Sequence, residues 1–389
     1  MKIYSPALIT AKGKVTVGHG ANLVWCDILG REERRIGGHV EYFFPAWNHQ
    51  GKSLDGISKE DLESMINASE ENLKKKLGIF GIDQYEEYRD SDSKSRENAQ
   101  KYFTILKERG FIKHEDGQYF LDIEKITKET NFFKILEGIR FAQGNQIRKR
   151  LHNLSFTLNR MYPISKPREF ATEIPLENRS YQKINPIFDL AVSPLLFSER
   201  TVDYSIDGSR TMLHGTFIPL VIWSGLFNRS FSKNISIHGY ALGDSEMDAN
   251  KFYGRIDAGM LNSDIMRYCA IRCTESFEDK EVNLENILGA KKLLYRALNL
   301  SKHILKHHGI QRRELSEEEE LKDLVNGMNP SKAIRHFESE IFGTSRKTHH
   351  KGVVGRREAI IFLKSINVIS SIFPITVRRI EEIVYNGKL

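Results

Sequence analysis

Three cysteines in 389 residues, Cys26, Cys269 and Cys273, are too few and too scattered for a disulfide framework. That count fits a reducing compartment. No cysteine lies between Cys26 and Cys269, so the middle of the chain lacks the thiolates of a zinc knuckle. Cys269 and Cys273 supply half of a tetrahedral shell, with no histidine near them in sequence. Packing is therefore the expected role of these thiols, and no metal site is expected. No run reaches the eighteen or so apolar residues that span a bilayer, and the chain opens on the strand-like Lys2 to Ile9 rather than on a basic and then apolar leader. The expected location is the cytoplasm. Internal repeats and low-complexity tracts are absent as well, and no tryptophan follows Asn262. Neither sign of charge dominates: 58 Lys and Arg face 51 Asp and Glu. The resulting +7 is compatible with a polyanionic partner such as nucleic acid or ATP without requiring one.

What is present suffices for two or three packed units, with 40% hydrophobic and 28% charged residues. Ile3 to Ile9 is β-prone, Ala11 to Gly20 is a glycine-containing loop, and Ala21 to Ile36 places Leu23, Val24, Asp27, Ile28 and Arg31 at helical spacing. Gly37 and Gly38 stop that helix, and His39 to Phe44 predicts a second strand ended by Pro45. Strand, helix and strand in this order make a right-handed parallel βαβ unit. Residues 56–195 read as an α-rich insertion of charged helices such as Ser95 to Arg109, mixed with irregular pieces. The α/β character returns over 196–262, with a strand at Val202 to Ile206, a helix at Thr211 to Leu226 around Pro219, and a strand at Ile235 to His238. From 263 to 389 the chain reads as a helical bundle. Within it, Glu317 to Glu320 forms an acidic block and Arg346 to Arg357 a basic loop, both expected as solvated surface. The expected fold is α/β: a parallel-sheet nucleotide-binding core in two halves, 1–55 and 196–262, split by the insertion and followed by the bundle.

The loop after the first strand, Gly13-Lys14-Val15-Thr16-Val17-Gly18-His19, leads straight into a helix. Glycines that let backbone approach a phosphate, with a basic side chain at a helix N-terminus, suit an anion. Taken alone, such a loop ends strands for structural reasons equally often.

Its companions add a resemblance. Thr16-Val17-Gly18-His19 resembles the His-x-Gly-His motif of class I aminoacyl-tRNA synthetases, with threonine at the first histidine. Ala46-Trp47-Asn48-His49-Gln50-Gly51 is similar to the Gly-Trp-Asp-x-His-Gly of the isoleucine, valine and leucine enzymes. Asp207-Gly208-Ser209 with Leu213-His214 stands where methionine enzymes have Gly-Lys-Asp and then Phe-His. Ile237-His238-Gly239-Tyr240 resembles their Val-His-Gly-Phe, and Asp264-Ile265-Met266-Arg267-Tyr268 their Asp-Ala-Leu-Arg-Tyr. The motifs follow the family's order and cover most of residues 1–310. The resemblance implies a Rossmann-like core that uses ATP and Mg2+ to activate a carboxylate. It implies that Gly13, Gly18, His19, Asp207, Ser209, His238, Gly239 and Met247 face the nucleotide, and that Ala7, Trp47, Asn48 and His214 face the acyl substrate. His19, Thr16 and Lys251 are the expected catalytic groups.

The departures have chemical meaning. In the family a carboxylate attacks the α-phosphate of ATP, and cationic or hydrogen-bonding groups stabilise the charge that develops on its oxygens. The mobile Lys-Met-Ser-Lys-Ser loop of the family reads Glu246-Met247-Asp248-Ala249-Asn250 here, so both lysines are replaced. Lys251, Arg255 and Arg210 are the substitutes at hand. Asn48 replaces the aspartate that pairs with the substrate ammonium, which implies a modified or less basic nitrogen. The bundle is short for reading an anticodon. The resemblance therefore implies a methionyl-tRNA-synthetase-like ligase that passes an amino-acid-like acyl group to an amine or hydroxylamine, with tRNA as a less favoured acceptor. The alternatives are a divergent true synthetase and a silent nucleotide- or adenylate-binding paralogue. Because every matched motif precedes Arg312, the tail beyond it is expected to be dispensable for nucleotide binding.

Overall fold

The computed structural model describes residues 1–6, 9–10, 17–47, 56–79, 86–89, 92–142, 144–158, 160–168, 171–175, 182–197, 201–239, 241–242, 262–274, 280–282, 284–308, 330–351 and 354–386. Its strands are β1 (Lys2–Tyr4), β2 (Ile9–Thr10), β3 (Glu41–Trp47), β4 (Glu86–Arg89), β5 (Ile112–Glu115), β6 (Gln118–Asp122), β7 (Arg140–Phe141), β8 (Met161–Pro163), β9 (Ser165–Pro167), β10 (Gln182–Ile184), β11 (Val202–Gly208), β12 (Ser232–His238), β13 (Ala241–Leu242) and β14 (Lys280–Glu281). The first helices are α1 (Val17–Arg35), α2 (Lys59–Ile79), α3 (Ser93–Glu108), α4 (Ile123–Glu129), α5 (Phe132–Gly138), α6 (Asn145–Thr157), α7 (Pro186–Val192), α8 (Pro194–Phe197) and α9 (Ile218–Phe227). After them come α10 (Asn262–Thr274), α11 (Leu284–His308), α12 (Pro330–Lys351), α13 (Arg356–Val368) and α14 (Pro374–Asn386).

Two compact units result. The first is Met1–Val15, His39–Lys75 and Asp83–His238, and the second is Thr16–Gly38, Lys76–Ile82 and Gly239–Leu389.

The first unit is built on a seven-stranded sheet whose every pairing is parallel. β1 and β2 run along the same edge of β3, at Tyr4↔Phe43 and then Ile9↔Ala46, while β4 takes the other edge. On its far side β1 pairs with β11, then β12, then β7. Successive strands thus step one way from β1 to β3 and β4, and the other way from β11 to β12. The order reverses between β1 and β11, and in an open parallel sheet that reversal leaves a crevice beyond the carboxyl ends of the strands.

Sequence and structure differ at Pro45, which lies inside β3 rather than ending it. Met1 O accepts from Glu41 N and Phe43 O from Ser5 N, so alternate residues of β3, Pro45 among them, turn their amide edge toward β1 and β2. Pro45 faces the gap between the Tyr4 and Ile9 pairings, where its missing N–H breaks no described ladder bond. The predicted strand from Ile3 to Ile9 is correspondingly two short ones.

The insertion is richer in strands than its charged helices predict. It supplies β4 and β7 to the two edges of the main sheet, and it holds an antiparallel sheet β5-β6-β8 and a pair β9-β10. Asp116 and Gly117, both at positive φ (49° and 75°), turn β5 into β6. Helices α3, α7 and α9 pack on one another. α9 is apolar nearly all round, as a fully enclosed helix must be. Trp223 donates from Nε1 to Ala191 O at 2.8 Å, and Arg109 donates to the last carbonyls of α9, Gly225 O (2.7 Å) and Leu226 O (2.6 Å).

The second unit packs α1 with α10, and α10 and α11 with the last helices. Cys26 and Cys269 are both buried in it. Its organising ion pair is Asp27 with Arg267, Oδ2 to Nη1 at 2.6 Å, and Arg31 Nε lies at the same distance from that oxygen. Arg267 is fully buried and also donates to Ser371 O and Ile372 O, each at 2.7 Å. Asp264 accepts from the amide N of Ile375 and Thr376 at the start of α14. The tail beyond Arg312 therefore holds the partners of buried polar groups in α10, so removing it strips this unit of structure rather than trimming an appendage. The basic stretch predicted as a loop is helical: Arg346 to Lys351 end α12 and Arg356 opens α13. Ala333, Ile334, Phe337 and Ile341 are buried at three- and four-residue steps, and this stripe extends the helix into the charged segment.

Among the described residues, no helix is long and apolar enough to cross a membrane.

Candidate functional site

The crevice at the reversal is bounded by Ser5 and Pro6 after β1, by Asp207 and Gly208 ending β11, and by His238 ending β12. Gly208 and His238 are paired across the two strands, and Ser209 N donates to His238 O at 2.8 Å, so the two chain turns are tied together. Of the residues the sequence singled out, the structure thus brings Asp207, Ser209, His214 and His238 to one end of the sheet, with Gly239 following directly.

Asp207 is fully buried, and its described partners are all uncharged. Its Oδ1 accepts from Gly208 N (2.7 Å) and Thr211 Oγ1 (2.5 Å), and its Oδ2 from Thr216 Oγ1 (2.8 Å). Burial pushes its carboxyl up to about 6, and these three hydrogen bonds pull the other way without prevailing. The carboxylate grips the chain that follows. Residues predicted as one helix from Thr211 divide into a π-helical turn, Leu213–Phe217, and then α9. The wide turn brings Gly215 against the carboxylate: a Cβ there would lie 2.6 Å from Asp207 Oδ2 and 2.7 Å from Pro6 Cγ. Only glycine permits that approach, and Pro219 in the first turn of α9 withholds a donor from the same stretch.

The π turn carries His214. Burial, and then the charge of Lys166, hold its imidazole below the usual histidine range. It is therefore neutral near neutral pH and offers one donor and one acceptor. The ring of Tyr162, in β8, lies 6.2 Å from it, centroid to centroid, and burial pushes this phenol up to about 12. The phenol thus stays a neutral hydrogen-bonding group. His238 is buried at the end of β12.

Sequence motifs alone did not point to Pro6, Tyr162, Lys166, Thr211 or Thr216. The two threonines, four and nine residues after Asp207, belong to no motif; only the fold shows that they serve one carboxylate.

The remaining expected residues divide in two. Gly18 and His19 lie in the first turn of α1, which begins at Val17, and Trp47 is the last residue of β3. Ala7, Gly13, Thr16, Asn48, Met247 and Lys251, with the whole segment 243–261, lie outside the described residues. Among the described residues no group of three or more His, Cys, Asp or Glu side chains is placed to hold a metal ion.

No family model and no curated protein matches the chain by sequence. Solved structures do match by fold. Mycobacterium tuberculosis methionyl-tRNA synthetase in complex with methionyl-adenylate superposes with a TM-score of 0.76 at 12% identity, over 98% of this chain and 94% of that one. A second structure of the same enzyme bound by methionyl-adenylate gives 0.73 at 12% identity, over 98% and 93%. The fold is thus the one seen in these methionyl-tRNA synthetase structures: a parallel α/β core followed by a helical part.

Proposed function

We propose that this protein is a synthetase-derived ligase that activates an amino-acid-like carboxylate with ATP and passes the acyl group to an amine or hydroxylamine other than tRNA. The observation that carries the reading is the likeness of fold along 98% of the chain to a synthetase solved with an acyl-adenylate, combined with the polar crevice where that sheet reverses order. In the proposed reaction a carboxylate oxygen bonds to the α-phosphorus, the bond from that phosphorus to the bridging oxygen breaks, and pyrophosphate leaves. The acceptor nitrogen then attacks the acyl carbon and AMP leaves.

His19 in the first turn of α1 is the proposed donor to the phosphate oxygens, where the amides of a helix N-terminus also point. Thr16 and Lys251 are its proposed partners, and Gly13, Gly18, Asp207, Ser209, His238, Gly239 and Met247 form the proposed nucleotide side. Ala7, Trp47, Asn48 and His214 form the proposed acyl side. A neutral His214 beside Tyr162 suits a polar, uncharged part of the substrate better than an anion. Mg2+ would enter on the ATP phosphates.

The deciding experiment is amino-acid-dependent exchange of labelled pyrophosphate into ATP by the full chain without tRNA, followed by a screen of amine and hydroxylamine acceptors. Exchange plus acyl transfer to a small acceptor supports the reading. Transfer to tRNA alone points to a divergent true synthetase. Absence of exchange, with binding of a non-hydrolysable acyl-adenylate analogue retained, points to a silent paralogue, the reading favoured by Glu246 and Ala249 in place of the loop lysines.

A further inference from the structure

A second cleft, of about 550 Å³, opens in the insertion between α4, α5 and α6, away from the sheet ends. Its rim carries Phe156, which is 69% exposed although it is one of the largest apolar side chains of the unit. An aromatic face left in water among polar groups offers a stacking surface to a planar ligand. The ring is also held flat. Phe156 stacks on Phe133 with centroids 5.9 Å apart and planes 11° apart, and His152 leans on both, at 5.0 Å and 4.7 Å.

The same lining holds three cations, Lys128, Lys134 and Arg160, and a single carboxylate, Glu124. Glu124 pairs with Lys128 at 2.5 Å and Arg160 at 2.9 Å, which leaves the lining with an excess of positive charge. The other polar groups are acceptors or mixed. Thr127 and Ser155 donate their hydroxyl hydrogens back to helix carbonyls and so keep lone pairs for a ligand. Asn131 offers an amide with both a donor and an acceptor.

A planar ring, an edge of mixed hydrogen-bonding groups and a doubly charged anion describe a nucleotide: its base stacks on Phe156 and its phosphate meets Lys134 and the Lys128–Arg160 pair. We propose that this cleft binds a nucleotide, either free or as the 5′-phosphorylated end of a single strand. An acidic peptide would satisfy the charge but leave the aromatic platform without a partner. The proposal is independent of the adenylation reading, since no residue of the cleft belongs to the sheet-end site.

The test uses the full chain with AMP as probe, followed by hydrogen exchange and calorimetry. AMP is expected to protect residues 123–157, and Phe156→Ala and Lys134→Glu are each expected to weaken binding there about tenfold, in the range of a single base-stacking contact. Adenosine and inorganic phosphate, each half of the ligand, should bind far more weakly than AMP. Both substituted side chains are exposed, so circular dichroism of the variants should match that of the wild type. A 5′-phosphorylated tri-adenylate that binds about ten times tighter than AMP assigns the source to a strand end, and equal affinity assigns it to a free nucleotide. Protection confined to residues 202–239, indifference of AMP binding to both substitutions, or displacement of AMP by polyglutamate as efficiently as by tri-adenylate would each overturn the proposal.

Discussion

Asp27 and Asp207 are both withdrawn from water, at 2% and 0% exposure, but their partners differ in charge. Asp27, in the helical unit, faces the guanidinium groups of Arg31 and Arg267. Asp207, at the sheet ends, faces two hydroxyls and an amide. A cation opposite a buried carboxylate makes the pair a structural pin, because removing either partner strands the other without water. Neutral donors soften the cost of burial without abolishing it, and they leave a group that titrates within reach of physiological pH. The first arrangement joins α1, α10 and the residues before α14. The second shapes a turn that carries a proposed substrate contact.

The contrast can be broken most forcefully at Arg267. Arg267→Ala leaves Asp27 short of its buried partner and two carbonyls short of a donor, and is expected to cost about 3–5 kcal/mol in chemical denaturation. Truncation at Arg312 should be at least as damaging, and limited proteolysis would show α10 exposed. A loss below about 1 kcal/mol for Arg267→Ala would mean that the pin is ornamental.

His19 lies on the same helix as Asp27, and its predicted effect is on chemistry rather than on folding. His19→Ala is expected to lower pyrophosphate exchange about a hundredfold or more, with ATP affinity changed much less. If His19 merely caps the helix, the melting temperature falls instead and His19→Asn restores it. Exchange rates and melting curves of both variants separate the two cases.

At Asp207 the comparison becomes a pH dependence. The native carboxyl titrates near 6 and its ordinary value is 3.8, so between these values the native state holds a proton that the unfolded chain has lost. The contribution of Asp207 to stability is therefore present in full below the unfolded value and fades as pH rises through the native one. Asp207→Asn cannot titrate, so its stability relative to wild type should improve by up to about 3 kcal/mol between pH 4 and pH 8. A difference that stays flat across that range would show that the carboxyl is not raised. The smallest expected effect is at Gly215, where Gly215→Ala pushes a methyl against Asp207 and Pro6 and should cost about 1–3 kcal/mol.

These residues also show what was legible beforehand. The β1–α1–β3 order, the strands over Val202 to Ile206 and Ile235 to His238 and the helical C-terminal part follow from local patterns, because burying one face of a strand or helix leaves a period in the sequence. Helices make up most of the regular structure of residues 56–195, and the strands among them include a hairpin closed by the two-residue turn Asp116-Gly117. The motif positions Asp264 and Arg267 were visible, but not their work, because their partners lie more than a hundred residues away.

By itself the sequence determined the main strands and helices of the sheet core and of the helical C-terminal part, and the order in which Gly18-His19, Trp47, Asp207, His214 and His238 occur along them. Tertiary structure alone decided that β1 and β11 lie side by side and open a crevice, that Asp207 closes on Thr211 and Thr216 through a π turn, and that Arg267 depends on the far end of the chain. The reason is physical: periodicity is written by neighbours a few residues apart, whereas strand order and the solvation of a buried charge are fixed by groups that meet only after the chain has folded.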